Sequence, residues 1–246
     1  MSDTYGCTPL ARSHVYQFIS AGFSYPDPML VQLLQSRLPD TESCLLLLED
    51  QHALEVLRPL KSVLLSCSPD TVETAYLQSF GHTISTECPP YEAEYDQAHI
   101  FQKSQALADI AGFYRAFGLE LEPTLKDRLD HISVELEFMH FLCLKEAYAS
   151  AKGHPEEQLA LCREAQAKFL GDHLGQWVLA FVQRLEKKAV GNLYGLMGHL
   201  LTAFLTFEMR VLGLEPGEVG SPVLVEPPEE ETPGCEACPL LVPTTG

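Results

Sequence analysis

Basic side chains are scarce in this chain: 16 lysines and arginines stand against 34 aspartates and glutamates, a formal net charge of −18 over 246 residues. Nucleic-acid binding needs clustered Lys and Arg to neutralise phosphates, so no nucleic-acid partner is expected, whereas a basic partner would be steered favourably. Long apolar runs are missing too. The strongest membrane candidate, Leu193 to Phe207, is 15 residues long, contains His199 and is followed at once by Glu208 and Arg210. A span needs about 20 predominantly apolar residues, so this segment reads as a buried helix, with no membrane insertion. The opening stretch, MSDTYGCTPLARSHVYQF, has no basic run followed by an apolar core and a small-residue cleavage site. Without such a signal, the eight cysteines are expected to be reduced cytoplasmic thiols rather than a disulfide scaffold.

Catalytic signatures are absent as well. There is no G-x-x-x-x-G-K-[ST] phosphate loop, no G-x-G-x-x-G after a strand, no H-E-x-x-H and no G-x-S-x-G elbow. Each encodes a definite geometry, and their joint absence lowers the expectation for the common enzyme classes. No stretch alternates apolar and polar residues over a strand's length, and no repeat recurs at a fixed period, so strands are not required.

Helix signals are plentiful. Thr8-Pro9, Asp27-Pro28 and Ser68-Pro69 each set a capping side chain before a proline at the first helical position. Thr41 is expected to open a separate helix through the CLLLL run, and Gly81 to stop the helix begun at Ser68-Pro69. A helix is expected over 102–117, with Tyr114 on its apolar stripe and Gly118 as its C-cap. The segment 129–149 carries two apolar stripes, so it belongs in the middle of a bundle. Helices over 155–170, 172–189 (with the only tryptophan, Trp177) and 192–212 complete the reading. The fold class is all-α: a single-domain bundle of about nine to ten helices over residues 1–214.

Residues 215–246 differ in character. They are rich in Pro and Gly, with seven glutamates and no Lys or Arg, a composition that predicts a disordered acidic tail. Within it, Cys235 and Cys238 have the C-x-x-C spacing of two thiolate ligands. A closed metal site needs four ligands, and no second C-x-x-C exists. His131, Cys88 or another chain could complete one, which keeps a metal- or cluster-binding redox protein as the alternative reading.

Two further segments stand out. Asp130 and His131 open the 129–149 helix, where a carboxylate favours the positive end of the dipole, and His131 shares a face with Glu135. Asp130 could simply cap the helix, with His131 a packed surface residue. In the loop 87–95, Pro89-Pro90 stiffens the approach, and Tyr91, Glu92, Glu94 and Tyr95 set aromatic bodies beside carboxylates. Such a surface can grip a basic peptide, or can equally cover the bundle and face solvent.

Taken in order, FSYP with Leu30 and Leu33-Leu34, PPYEAEY, QALADIAGFYRAFGLE, LDHISVELEFMHFLCLKEA and FLGDHLGQWVLAFVQRLE resemble the TorD/DmsD/NarJ chaperones over most of residues 8–212. The pieces PPYEAEY and GCEACPL look closest to the branch serving respiratory enzymes of the dimethyl-sulfoxide-reductase type. Many relatives carry Pro directly before the Asp-His pair, where Leu129 stands here. The resemblance implies a cytoplasmic, non-catalytic chaperone without a cofactor of its own, as monomer or homodimer. It would bind the apo catalytic subunit of a molybdenum oxidoreductase, often at its twin-arginine signal peptide, until the molybdopterin cofactor is inserted. It also implies roles: Asp130 would pair with a client arginine or fix the pocket, and His131 would hydrogen-bond in the groove. Tyr91, Glu92 and Tyr95 would line that groove, with Tyr114 as a further candidate.

Overall fold

The computed structural model of the chain describes residues 4–81, 87–95, 100–120 and 128–214, of which 4–7 and 100–104 by backbone alone. Among the described residues the elements are α1 (Thr4–Phe23), α2 (Pro28–Leu47), α3 (Gln51–Ser66), α4 (Pro69–Phe80), a 3-10 turn (Glu92–Glu94), α5 (Ile100–Ala116), α6 (Ile132–Ala151), α7 (Glu156–Phe169), a π-turn (Leu170–Leu174), α8 (Gly175–Lys188) and α9 (Leu193–Leu212). The expected all-α class is what forms. None of these helices is long and apolar enough to cross a membrane.

The caps follow local chemistry. Asp27 accepts from Leu30 N at 2.8 Å, Ser68 from Thr71 N at 3.3 Å, and Asn192 from Tyr194 N at 2.8 Å. Each satisfies an amide that a helix start leaves without a partner. Gly81 and Gly213 end α4 and α9 with positive φ, which a residue bearing a Cβ adopts only under strain.

Helix α6 is the hub. Ile132, Leu136, Met139, Leu142 and Cys143 are fully buried, and Val134 and Phe138 are buried on the other stripe. Every residue from Ile132 to Leu136 is buried, and only Glu137 is exposed before His140, as its nearly all-round apolarity requires. Helix α1 packs along it most extensively, α7 lies against it, α2 covers α1, and α9 packs on α3 and α8. A buried polar network ties four of these helices together. Arg12 of α1 donates through Nε and Nη2 to Glu208 of α9 at 2.7 and 2.6 Å, and through Nη2 to Gln166 of α7 at 2.7 Å. Gln166 and Arg163 in turn donate to Glu146 of α6 at 2.9 and 2.7 Å. Every carboxylate here has a guanidinium or amide partner, the condition under which buried charge is tolerated.

Three expected boundaries differ. Thr41 opens no helix: α2 runs through Pro39, and Leu34, Leu38, Thr41 and Leu45 keep one buried face across the expected break. Burial of that continuous stripe outweighs the proline penalty of about 3 kcal/mol. Thr8 is likewise no cap, because α1 starts at Thr4 and contains Pro9. The break expected near Gly171 is instead a π-turn that leads α7 into α8, with Leu170 and Leu174 buried on either side of it. The tail, with Cys235 and Cys238, lies outside the described residues.

Candidate functional site

The backbone itself joins the two segments singled out from the sequence. Ile132 N donates to Pro90 O at 2.9 Å and Glu92 N to Asp130 O at 3.0 Å, forming an isolated antiparallel bridge between Tyr91 and His131. Pro90 offers only a carbonyl, and that carbonyl receives an amide near the start of α6, where four donors lack intrahelical partners. The 3-10 turn then brings Glu92, Glu94 and Tyr95 back over the same helix end.

Asp130 sits at the centre with 0% of its surface exposed. Its Oδ1 accepts from Arg128 Nε at 2.9 Å, and its Oδ2 accepts from Arg128 Nη2 at 2.7 Å and from Ala93 N at 3.1 Å. Arg128 is half-buried; its Nη1 reaches Glu94 Oε1 at 3.1 Å, and its guanidinium lies 4.7 Å above the Tyr91 ring. A bidentate fork and an aromatic face are what guanidinium geometry favours. Asp130 is therefore matched within its own chain by an arginine two residues away. The helix cap is not Asp130 but His131, whose Nδ1 accepts from Ser133 N at 3.2 Å. That contact puts the ring proton of the neutral form on Nε2. Nor is His131 a surface residue: it is buried, with its ring edge-on to Tyr91 at 5.1 Å.

Beneath the loop lies a layer of buried carboxyls. Glu92 Oε1 is 3.1 Å from His173 Nδ1 in the π-turn. Glu135, fully buried on α6, accepts at Oε2 from Trp177 Nε1 at 3.1 Å. Burial first, then the neighbouring Glu92 charge and a hydrogen-bonding contact between the two carboxyls, push the Glu135 carboxyl well above the usual carboxylate range. Glu92 Oε2 and Glu135 Oε1 have no other donor. A proton held by Glu135 and shared with Glu92 satisfies both oxygens. Tyr95 packs on Trp177 at 5.3 Å, with the Arg184 guanidinium 4.5 Å over its ring. Tyr114 of α5 is buried among Phe138 and Phe169, and its hydroxyl donates to Leu129 O at 3.0 Å.

All six residues expected at the site thus gather around one loop and one helix start, but at different depths. Tyr91 and Tyr95 are half-buried; Glu92, Tyr114, Asp130 and His131 lie underneath. Sequence reasoning missed Arg128, His173 and Arg184, and placed Glu135 only as a helix-face partner of His131. Arg128 offered a local hint, since i and i+2 side chains in an extended stretch can form a fork; His173 and Arg184 join the cluster from 40 or more residues away and gave none. An apolar cleft of about 240 Å³ adjoins this region, lined by Phe18, Leu30, Leu33 and Leu34 of α1 and α2, with Arg37 and Glu137 also in its wall. Ser20, in the same wall, donates to Ser133 O at 2.8 Å, which places the cleft one turn from His131.

Among the described residues, no group of three or more His, Cys, Asp or Glu side chains could hold a metal ion. Cys88, one candidate to complete a site with the tail, is buried, and burial pushes its thiol up to about 12.

A helical body with an aromatic and charged rim over a closed polar layer, beside an apolar cleft, defines a binding protein. Residues 48–183 match the family described as nitrate reductase delta subunit. The chain belongs to that family, the TorD/NarJ group, whose members are assembly chaperones and not enzymes. It is 31% identical over 182 residues to the perchlorate reductase assembly chaperone protein of Dechloromonas aromatica, covering 69% of this chain and 75% of that one. It is 32% identical over 114 residues to the selenate reductase assembly chaperone protein of Thauera selenatis, covering 46% of this chain and 56% of that one. To the chaperone protein TorD of Vibrio cholerae it is 28% identical over 123 residues, covering 50% and 54%.

Proposed function

We propose that the chain is a cytoplasmic chaperone for the apo catalytic subunit of a molybdopterin-dependent oxidoreductase. It holds that subunit, through a twin-arginine signal peptide or another N-terminal segment, until cofactor insertion is complete. The cofactor belongs to the client; the chaperone contributes a surface, from a binding body of residues 1–214, and works as monomer or homodimer. One observation carries the reading: the Tyr91 loop and the start of α6 form one rim of tyrosines, carboxylates and arginine beside an apolar cleft. A basic, partly apolar peptide needs both features, with the cleft taking its apolar side chains and Glu94 attracting its cations. Asp130, His131, Glu92 and Tyr114 act from below by fixing the rim, while Tyr91 and Tyr95 offer contact area. The likeness to chaperones named for perchlorate and selenate reductases supports a client of related chemistry.

Tagged chain recovered from its native host under respiring conditions that induce the client tests this. A molybdoenzyme catalytic subunit should co-purify, and should do so less with Asp130→Ala at an unchanged helical content. Recovery of no such subunit from induced cells refutes the assignment.

A further inference from the structure

A second cavity lies far along the chain from the loop site. It has a volume of about 430 Å³ and runs between α8 and α9. Its floor is apolar: Val178 and Leu205 are buried, and Leu179 and Met209 stand in its walls. Arg210 is the only charged residue lining it. Gly213 and Leu214 line it as well, so the chain leaves the described body from inside this groove.

The departure is directed. Gly213 takes a left-handed conformation at φ 71°, and Leu214 N donates to Met209 O at 2.9 Å. That six-to-one bond closes the end of α9 and turns Leu214 off the helix axis. Leu214 accordingly packs towards the π-turn, its Cδ2 3.8 Å from where a Cβ on Gly171 would sit. Beyond it come seven residues, EPGEVGS, and then Pro222-Val223-Leu224-Val225, with Glu226 following. Seven intervening residues reach up to about 25 Å when extended. The lined stretch of α9, Thr202 to Arg210, is about 12 Å long, so the apolar segment can return and lie along all of it.

We infer that residues Pro222–Val225 of the chain's own tail occupy this groove, with the glutamates that bracket them, Glu218 and Glu226, directed to the Arg210 edge. Tethering favours this occupant over any free peptide, because a short linker supplies an effective concentration on the order of millimolar. Charge favours it too: the tail contains no Lys or Arg, and the only charge on the groove wall is positive. The docking covers an apolar face that would otherwise recruit other chains. It is independent of client capture at the loop.

Methyl NMR of the full chain with labelled methionines tests the inference. Met209 lies in the groove, whereas Met139 and Met197 are buried elsewhere and report on the fold. In a Val223→Asp, Leu224→Asp chain the Met209 methyl resonance should move while Met139 and Met197 stay. A synthetic peptide of residues 219–228 should restore it, at concentrations at least ~10-fold lower than those needed to perturb the unmodified chain. A Met209 resonance indifferent to the double substitution overturns the inference. So does movement only on Leu240→Asp, Leu241→Asp, or an effect that fades on dilution, which would identify a second copy as the occupant.

Discussion

Replacing Glu135 by Gln isolates the proton that the buried carboxyl layer holds. In the folded chain the Glu135 carboxyl is held well above its usual value of 4.5 by burial and by Glu92. Between that usual value and the raised one, the folded state binds one proton more than the unfolded state. Stability from this group is therefore complete at low pH and is lost as pH rises through the raised value. The slope follows from linkage: up to about 1.4 kcal/mol per pH unit for one proton. Glutamine removes the slope and keeps the contacts, since its carbonyl can accept from Trp177 Nε1 and its amide can donate to Glu92. Urea unfolding followed by fluorescence of Trp177, the only tryptophan, reads the same layer directly. Compared with the parent, the variant should gain relative stability by about 1.4 kcal/mol per pH unit as pH is raised from about 5. Parallel stability curves for the two chains would refute the shared proton.

Arg12→Leu should cost about 3–5 kcal/mol in urea unfolding, because it strands the fully buried Glu208; adding Glu208→Leu should recover most of that loss, and a double variant no better than the single would contradict the pairing. Gly195→Ala should lower the thermal midpoint even though alanine is the better helix former by about 1 kcal/mol, since its Cβ would lie 2.8 Å from the Ala189 carbonyl oxygen; an unchanged or higher midpoint would mean that α9 can shift. Arg128→Lys should leave the core intact but speed amide exchange at Ala93 by about tenfold or more, because an ammonium cannot reproduce the fork to Asp130 or the stacking on Tyr91.

Much of the architecture was legible because it is local. Asp27-Pro28, Ser68-Pro69, Asn192 and Gly81 mark termini through their own backbone chemistry, and the double stripe of α6 shows its central position without reference to any partner. Two of the three misread boundaries share one cause: the breaks expected at Thr41 and near Gly171 are overruled by packing that spans them, through Leu38 and Leu45 at one and Leu170 and Leu174 at the other. At the site, the nearness of the Tyr91 loop to the Asp-His pair had a basis in family resemblance alone, since nearly 40 residues separate them. Apart from Tyr114, whose apolar stripe marks it as buried, the depth of the site residues was not legible. Glu135 reads as one end of an ordinary i, i+4 pair with His131, yet its carboxyl faces Trp177 and Glu92, partners that only the tertiary fold supplies.

Isothermal titration of the full chain with the N-terminal segment of its host's molybdoenzyme catalytic subunit tests the central claim most directly. The comparison is between the parent and a Tyr91→Ala, Glu94→Gln chain, which alters the half-buried rim while keeping an acceptor for Arg128 and its fork to Asp130 beneath. Affinity at least ~10-fold weaker, with an unmoved unfolding transition, is the predicted result, as two rim contacts of about 1 kcal/mol or more would give. Equal affinity for the two chains would place the client elsewhere on the molecule and contradict the account.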